Sequence, residues 1–117
     1  MKKIYHLETC KTCQKILKEL EPLDGIELRE IKSKGVTPEE LEEMRALTDS
    51  YEDLFSRRAM LFRQRGLNNQ ELSEDDFKKL ILEHYTFLKR PVVVVASEIF
   101  IGNAKKQVEG AKKALHG

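Results

Sequence analysis

The chain has 117 residues, with Lys+Arg 21 against Asp+Glu 20 and a net charge of +1. That length suits a single domain over residues 1–117 with a real core, and the near-balance of charge excludes a global field that would draw in nucleic acid or an acidic membrane. The opening Met1–His6 is too poor in apolar residues for a signal peptide and no stretch approaches a transmembrane helix. A cytoplasmic location follows as an expectation, with neither direct nucleic-acid contact nor a membrane partner.

Ile4, Tyr5, His6 and Leu7 form a short β-branched, aromatic and apolar run that predicts a central strand. From Lys11 to Leu20 the apolar positions are Cys13, Ile16, Leu17 and Leu20, a helical stripe that Pro22 stops. Asp24-Gly25 turns the chain. Ile26, Leu28 and Ile31 alternate with Glu27, Arg29 and Glu30, as in a half-exposed strand returning parallel to the first through the crossover helix. The opening third therefore reads as a βαβ unit.

A helical insert follows, over about residues 36–89. Thr37-Pro38-Glu39-Glu40 combines an N-cap hydroxyl, a proline at the first helical position and a glutamate three residues after the cap. Leu54, Phe55, Leu61 and Phe62 suggest one or two short helices with Gly66 as a stop, and Ser73 caps another with Phe77, Leu80, Ile81 and Tyr85 on its apolar side.

The last third returns to strand. Val92–Val95 is a continuous β-branched run expected in a buried strand, and Ser97-Glu98 separates it from Ile99-Phe100-Ile101, giving a hairpin. Gly102-Asn103 turns into a final helix with Ala104, Val108, Ala111 and Leu115 as a narrow apolar stripe and its lysines outside. The order βαβ, helices, ββα predicts an α/β fold similar to thioredoxin: a four-stranded mixed sheet with flanking helices and a helical insert.

Both cysteines stand where the first strand meets the first helix, as Cys10-Lys11-Thr12-Cys13. A thiol there faces unpaired backbone N–H groups and the positive end of the helix dipole, which favours its thiolate. Cys10 is then the nucleophile, and Cys13, one turn on, can attack a sulfur adduct and release it as an internal disulfide. Two other readings stand beside this one. The pair could be half of a zinc site, for which only His6, His84 and His116 remain as soft ligands and no second pair has the spacing, so no metal is assigned. Or the two thiols could be inert core residues, a setting that Lys11 and Thr12 between them argue against. His6, four residues before Cys10, could support the thiolate or simply pack. Arg90-Pro91 stands at the entry to a buried strand, where proline costs no ladder bond, and a cis peptide can occur there.

With Cys10, Cys13, Arg58 and Arg90-Pro91 in view, the chain resembles the ArsC-like family over nearly its whole length. That family includes glutaredoxin-coupled arsenate reductases and the Spx-type regulators of bacterial RNA polymerase. The resemblance rests on Tyr5-His6, Thr9–Cys13, Arg58-x-x-x-Phe62 running into Gly66-Leu67, and Leu88–Val94. It implies a cis proline at Pro91 and a pocket for an oxyanion or disulfide built by Cys10 and Arg90, with Arg58, Pro91, His6 and Thr12 on the substrate. It also implies a small thiol or oxyanion substrate and no bound cofactor, with glutathione and glutaredoxin, or thioredoxin, as electron donor. The Spx-type alternative implies the RNA polymerase α subunit as partner. Leu7-Glu8 stands where the reductases carry an asparagine-proline pair, and Asn103 falls near their last arginine.

Overall fold

The computed structural model describes residues 2–117, which divide into two compact units, one of Lys2–Lys34 with Arg90–Gly117 and the other of Gly35–Lys89. In the first, β1 (Lys2–His6), α1 (Lys11–Glu19), β2 (Glu27–Glu30), β3 (Val92–Val95), β4 (Glu98–Ile101) and α5 (Lys105–His116) build a four-stranded sheet ordered β2-β1-β3-β4. The second holds α2 (Pro38–Ala46), α3 (Met60–Gln64) and α4 (Glu74–Glu83), with short 3-10 turns between them. The α/β thioredoxin-like architecture read from the sequence is the one observed.

The sheet is mixed because β1 runs parallel to β2, Ile4 opposite Leu28, and antiparallel to β3, Ile4 opposite Val93. β3 and β4 form the hairpin, Val93 opposite Phe100. All four valines of β3 are buried, as a strand covered on both faces requires. On one face Ile4, Val93 and Val95 pack with Ile16 and Leu20 of α1 and with Val108, Ala111 and Leu115 of α5. Both helices thus lie on the same face, each following a strand that runs in β1's direction, so their N-termini share one end of the sheet.

Three local details differ from the sequence reading. Leu28 is 47% exposed because β2 is an edge strand, whereas Ile31, bonded through its N–H to the His6 carbonyl, is fully buried. The hairpin turn is Ala96-Ser97, one residue earlier than expected, since Glu98 already pairs with Val95 and Ala96 takes the left-handed conformation at φ 53°. Ala104 is the N-cap of α5 and is exposed, so the apolar stripe is carried by Val108, Ala111 and Leu115.

In the second unit, the two expected caps form reciprocal boxes. The Glu40 and Asp76 N–H groups donate to Thr37 Oγ1 and Ser73 Oγ, while both carboxylates accept from the N-cap N–H groups. Gly66 closes α3 at φ 69°. The unit is centred on Phe55, which is fully buried against Phe62, Phe77 and Phe87 at ring separations of 5.9, 4.8 and 5.4 Å. Leu41, Met44, Leu54, Ile81 and Leu88 are equally buried. Among the described residues no helix is long and apolar enough to cross a membrane.

Candidate active site

The strand-to-helix junction places Cys10 as the N-cap of α1, in extended backbone with no side-chain cap of its own. Its N–H donates to the Leu7 carbonyl at 3.0 Å and its carbonyl accepts from the Gln14 N–H at 3.0 Å, so the residue is held from both sides. The first turn of α1 has no acidic residue, so the positive field of its free N–H groups is left to act on the Cys10 sulfur. Partial burial pushes the Cys10 thiol up. The opposing contributions win: the N–H and the thiol of Cys13, the Arg90 guanidinium and the Thr12 N–H together bring it below its ordinary value of 9.0.

Cys13 sits one turn on, completely buried, while Cys10 is half-buried, and both are free thiols. Burial pushes Cys13 up to about 11, and the negative charge of Cys10 adds to this, against the lowering effects of the Leu7 N–H and Arg90. One sulfur is thereby shifted toward its thiolate, while its neighbour is held as a thiol that donates to it. Environment alone has divided two chemically identical groups.

Arg90 is half-buried at the start of the segment that enters β3, and its charge acts on both sulfurs. The Arg90–Pro91 peptide is cis, as the resemblance implied, and the buried Pro91 accepts the Gly102 N–H through its carbonyl at 2.9 Å. A second cis peptide, Glu21–Pro22, follows α1. Thr12 joins the site through its backbone N–H, while its side chain is exposed on α1. His6 closes β1 with a buried Nδ1 that has no hydrogen-bond partner among the described residues. Arg58 lies in the second unit, exposed in the turn before α3, beside Arg57, whose guanidinium pairs with Glu52 at 2.6 Å.

The sequence did not reveal how the cysteine loop is anchored. The Glu30 carboxylate at the end of β2 accepts the Glu8 N–H at 3.0 Å and also takes the N–H groups of Lys32 and Ser33. The Gln14 side chain donates to the Glu8 carbonyl at 2.6 Å, so Glu8 is pinned on both sides two residues before Cys10. Slight burial raises the Glu30 carboxyl, but the Glu8, Ser33 and Lys32 N–H groups outweigh it and hold the group below its ordinary 4.5. The anchor is thus intact at neutral pH and is lost only as pH falls through that lowered value. Glu30→Gln should accelerate amide hydrogen exchange at Glu8, Lys32 and Ser33 on the order of tenfold, the scale of one charge-assisted bond. Unchanged exchange at Glu8 would show that the loop holds its shape without this carboxylate.

The family model described as the ArsC family matches residues 5–111. A curated relative, "Global transcriptional regulator Spx 2" of Bacillus anthracis, is 32% identical over 102 residues, 85% of this chain and 77% of that protein. Among solved structures, an ArsC family related protein from Bacteroides fragilis superposes with a TM-score of 0.79 at 23% identity, covering 94% of this chain and 96% of that one. The structure titled "Arsenate reductase from Vibrio cholerae" does so with a TM-score of 0.70 at 25% identity, covering 94% and 96%. A family match over almost the entire length, on a thioredoxin-like sheet with the cysteine pair at its strand-to-helix junction, places the chain in the ArsC family.

Proposed function

We propose that the protein is a thiol oxidoreductase in which Cys10 attacks an oxidised substrate and Cys13 resolves the adduct. The reading is carried by one observation: two thiols one helical turn apart, the outer held below its ordinary pKa and the inner raised to about 11. With a disulfide R–S–S–R′, the Cys10 thiolate forms a new S–S bond to one sulfur, and R′–S⁻ leaves and takes up a proton. Once Cys10 is bonded it carries no negative charge, so one cause of the raised Cys13 pKa is removed at the step where Cys13 must ionise. Cys13 then gives up its proton and attacks the Cys10 sulfur, forming the internal disulfide and expelling R–S⁻. Two electrons from an external thiol donor restore the pair, and glutathione with glutaredoxin, or thioredoxin, fits that requirement in a reducing cytoplasm.

Arsenate is the alternative oxidised substrate. Cys10 displaces water at arsenic, and attack of a second thiol on the Cys10 sulfur sends the S–As electron pair to arsenic, releasing arsenite. Arg90, already acting on both sulfurs, is the cation on this account, and Arg58 is a second anion-binding candidate. A coupled turnover assay on arsenate and on a mixed disulfide, with each donor system, tests the reading. Turnover on at least one substrate is expected, and none on either with any donor would remove the enzyme.

The relatives named as global transcriptional regulators support a second reading, a redox-switched regulator of the Spx type. In it the Cys10–Cys13 bond alters a surface presented to RNA polymerase. Retention on the isolated C-terminal domain of the polymerase α subunit, differing between reduced and oxidised protein, would favour it. Retention in neither state would discard it.

A further inference from the structure

The sheet ends in two edges of opposite character. At one, β2 reads Glu27, Leu28, Arg29, Glu30, and the Glu30 carboxylate is already committed to the loop that precedes Cys10. At the other, β4 is apolar from Ile99 to Ile101, with no charge, proline or bulge to block pairing, and all three side chains are half-buried. The register fixes which backbone groups face outward. The Gly102 N–H donates to the Pro91 carbonyl at 2.9 Å, so the pair before it, Ile101 opposite Val92, exchanges no bonds, and alternation gives Ile99 opposite Val94 the same character. Ile99 and Ile101 therefore turn their N–H and C=O groups away from β3. One of these groups is occupied, since Gln107 of α5 reaches over the edge and its Oε1 accepts the Ile101 N–H at 3.0 Å. Along the same side α5 carries Gln107, Gly110 and Ala114, all neutral and half-buried. Gly110 lies so close to Phe100 that an added Cβ would stand 2.8 Å from the ring.

We propose that β4 is a self-pairing edge, on which a second copy of this chain adds its own β4 antiparallel and continues the sheet. The two-fold axis passes beside Phe100. Ile99 of each copy then lies opposite Ile101 of the other, and each such pair exchanges both of its N–H···O bonds. The isoleucines meet across the join on one face and the two Phe100 rings on the other, pairings that stabilise adjacent strands. A second copy is the occupant this edge fits, because its β4 is uncharged over the same three residues and presents the same donors and acceptors, so symmetry closes the match. Pairing with β2 of the second copy would instead set Glu27, Arg29 and Glu30 against isoleucine and phenylalanine, and would leave both ends open to further addition. Gln107 opposes the join, since each subunit must release the Ile101 N–H from it before that group can reach the second copy. A short edge with this competitor gives a weak, concentration-dependent pair. Because β3 lies between β4 and β1, the join is separate from the strand that leads to Cys10 and does not rest on the oxidoreductase reading.

Sedimentation equilibrium of the full chain under reducing conditions, from micromolar to millimolar concentration, tests this together with hydrogen exchange at single amides. A reversible monomer–dimer equilibrium is expected. The outward Ile99 N–H should exchange rapidly when dilute and slow as the dimer fills, whereas the Phe100 N–H, turned inward to Val93, should be protected throughout. Ile99→Lys should weaken the dimer at least about tenfold by placing a charge in the join. Gln107→Ala keeps the edge and removes its competitor, so it should tighten the dimer about fivefold, the scale of one neutral hydrogen bond. A purely structural glutamine would not move the association. The amide spectrum of each variant checks its fold, and Gln107→Ala decides the matter should Ile99→Lys fold poorly. A parent chain that stays monomeric at millimolar concentration overturns the proposal. So does a dimer that Ile99→Lys leaves intact, one that forms without slowing exchange at Ile99, or one that Gln107→Ala fails to tighten.

Discussion

Cys10→Ser should lower turnover by more than about a thousandfold, because the proposed nucleophile is removed and no other described sulfur can replace it. Cys13 is fully buried and raised to about 11, so it cannot serve as the first attacking group near neutral pH. Cys13→Ser should behave differently. It leaves the N–H of residue 13, the Thr12 N–H and Arg90 in place around Cys10, and so keeps the first half-reaction. With no resolving thiol, the mixed disulfide should accumulate on Cys10 and be visible in the intact mass after incubation with a small disulfide. Two results would refute this division of labour: multiple-turnover activity in Cys10→Ser, or Cys13→Ser that cycles as fast as the parent without trapping an adduct. The second would hand the resolving role to the external donor.

Phe55→Ala should be the most damaging single change to stability, costing about 3–5 kcal/mol. The ring is fully buried and meets three other phenylalanine rings, one of them stacked at an interplanar angle of 9°. Its backbone is also structural. Phe55 bridges to Leu88, the Ser56 N–H donates to the Phe87 carbonyl at 2.7 Å and the Lys89 N–H to the Leu54 carbonyl at 2.8 Å. Truncation would leave Phe62, Phe77 and Phe87 around a void too apolar for water to fill usefully, so the transfer loss and the cavity loss add. Against a typical net stability of about 5–15 kcal/mol, that is enough to unfold a marginal protein. Phe55→Leu, which keeps most of the volume, should cost under about half as much. Urea denaturation of both variants checks the ranking, and a Phe55→Ala loss below about 1 kcal/mol would mean the ring cluster collapses around the gap.

Much of this was legible in the sequence because it depends on near neighbours. Val92–Val95 has no polar face and must be buried, the Thr37 and Ser73 capping boxes are written within four residues, and Cys10 and Cys13 lie within one helical turn. Other features depend on distant partners that no local pattern encodes. Glu30 reads as one more exposed carboxylate in an edge strand, yet the β1–β2 register brings it 22 residues back along the chain to Glu8. The open edge of β4 was invisible for the same reason, since Ile99, Phe100 and Ile101 look like any hairpin strand until the sheet order leaves them unpaired on one side. Leu28 and Ala96 show a smaller limit. Alternation gives the face of a residue but not whether the strand lies at an edge, and turn composition favoured Ser97-Glu98 when the ladder closes one residue sooner.

The division of two like thiols by their surroundings is tested most directly by the rate of iodoacetamide alkylation as a function of pH, followed at each cysteine separately by peptide mass. The account predicts that Cys10 reaches half its maximal rate below pH 9.0, while Cys13 stays protected until about pH 11. In Cys10→Ser, Cys13 should still titrate above 9.0, because burial, the largest cause of its shift, remains. A single shared titration at the ordinary thiol value, or modification of Cys13 ahead of Cys10, would contradict it.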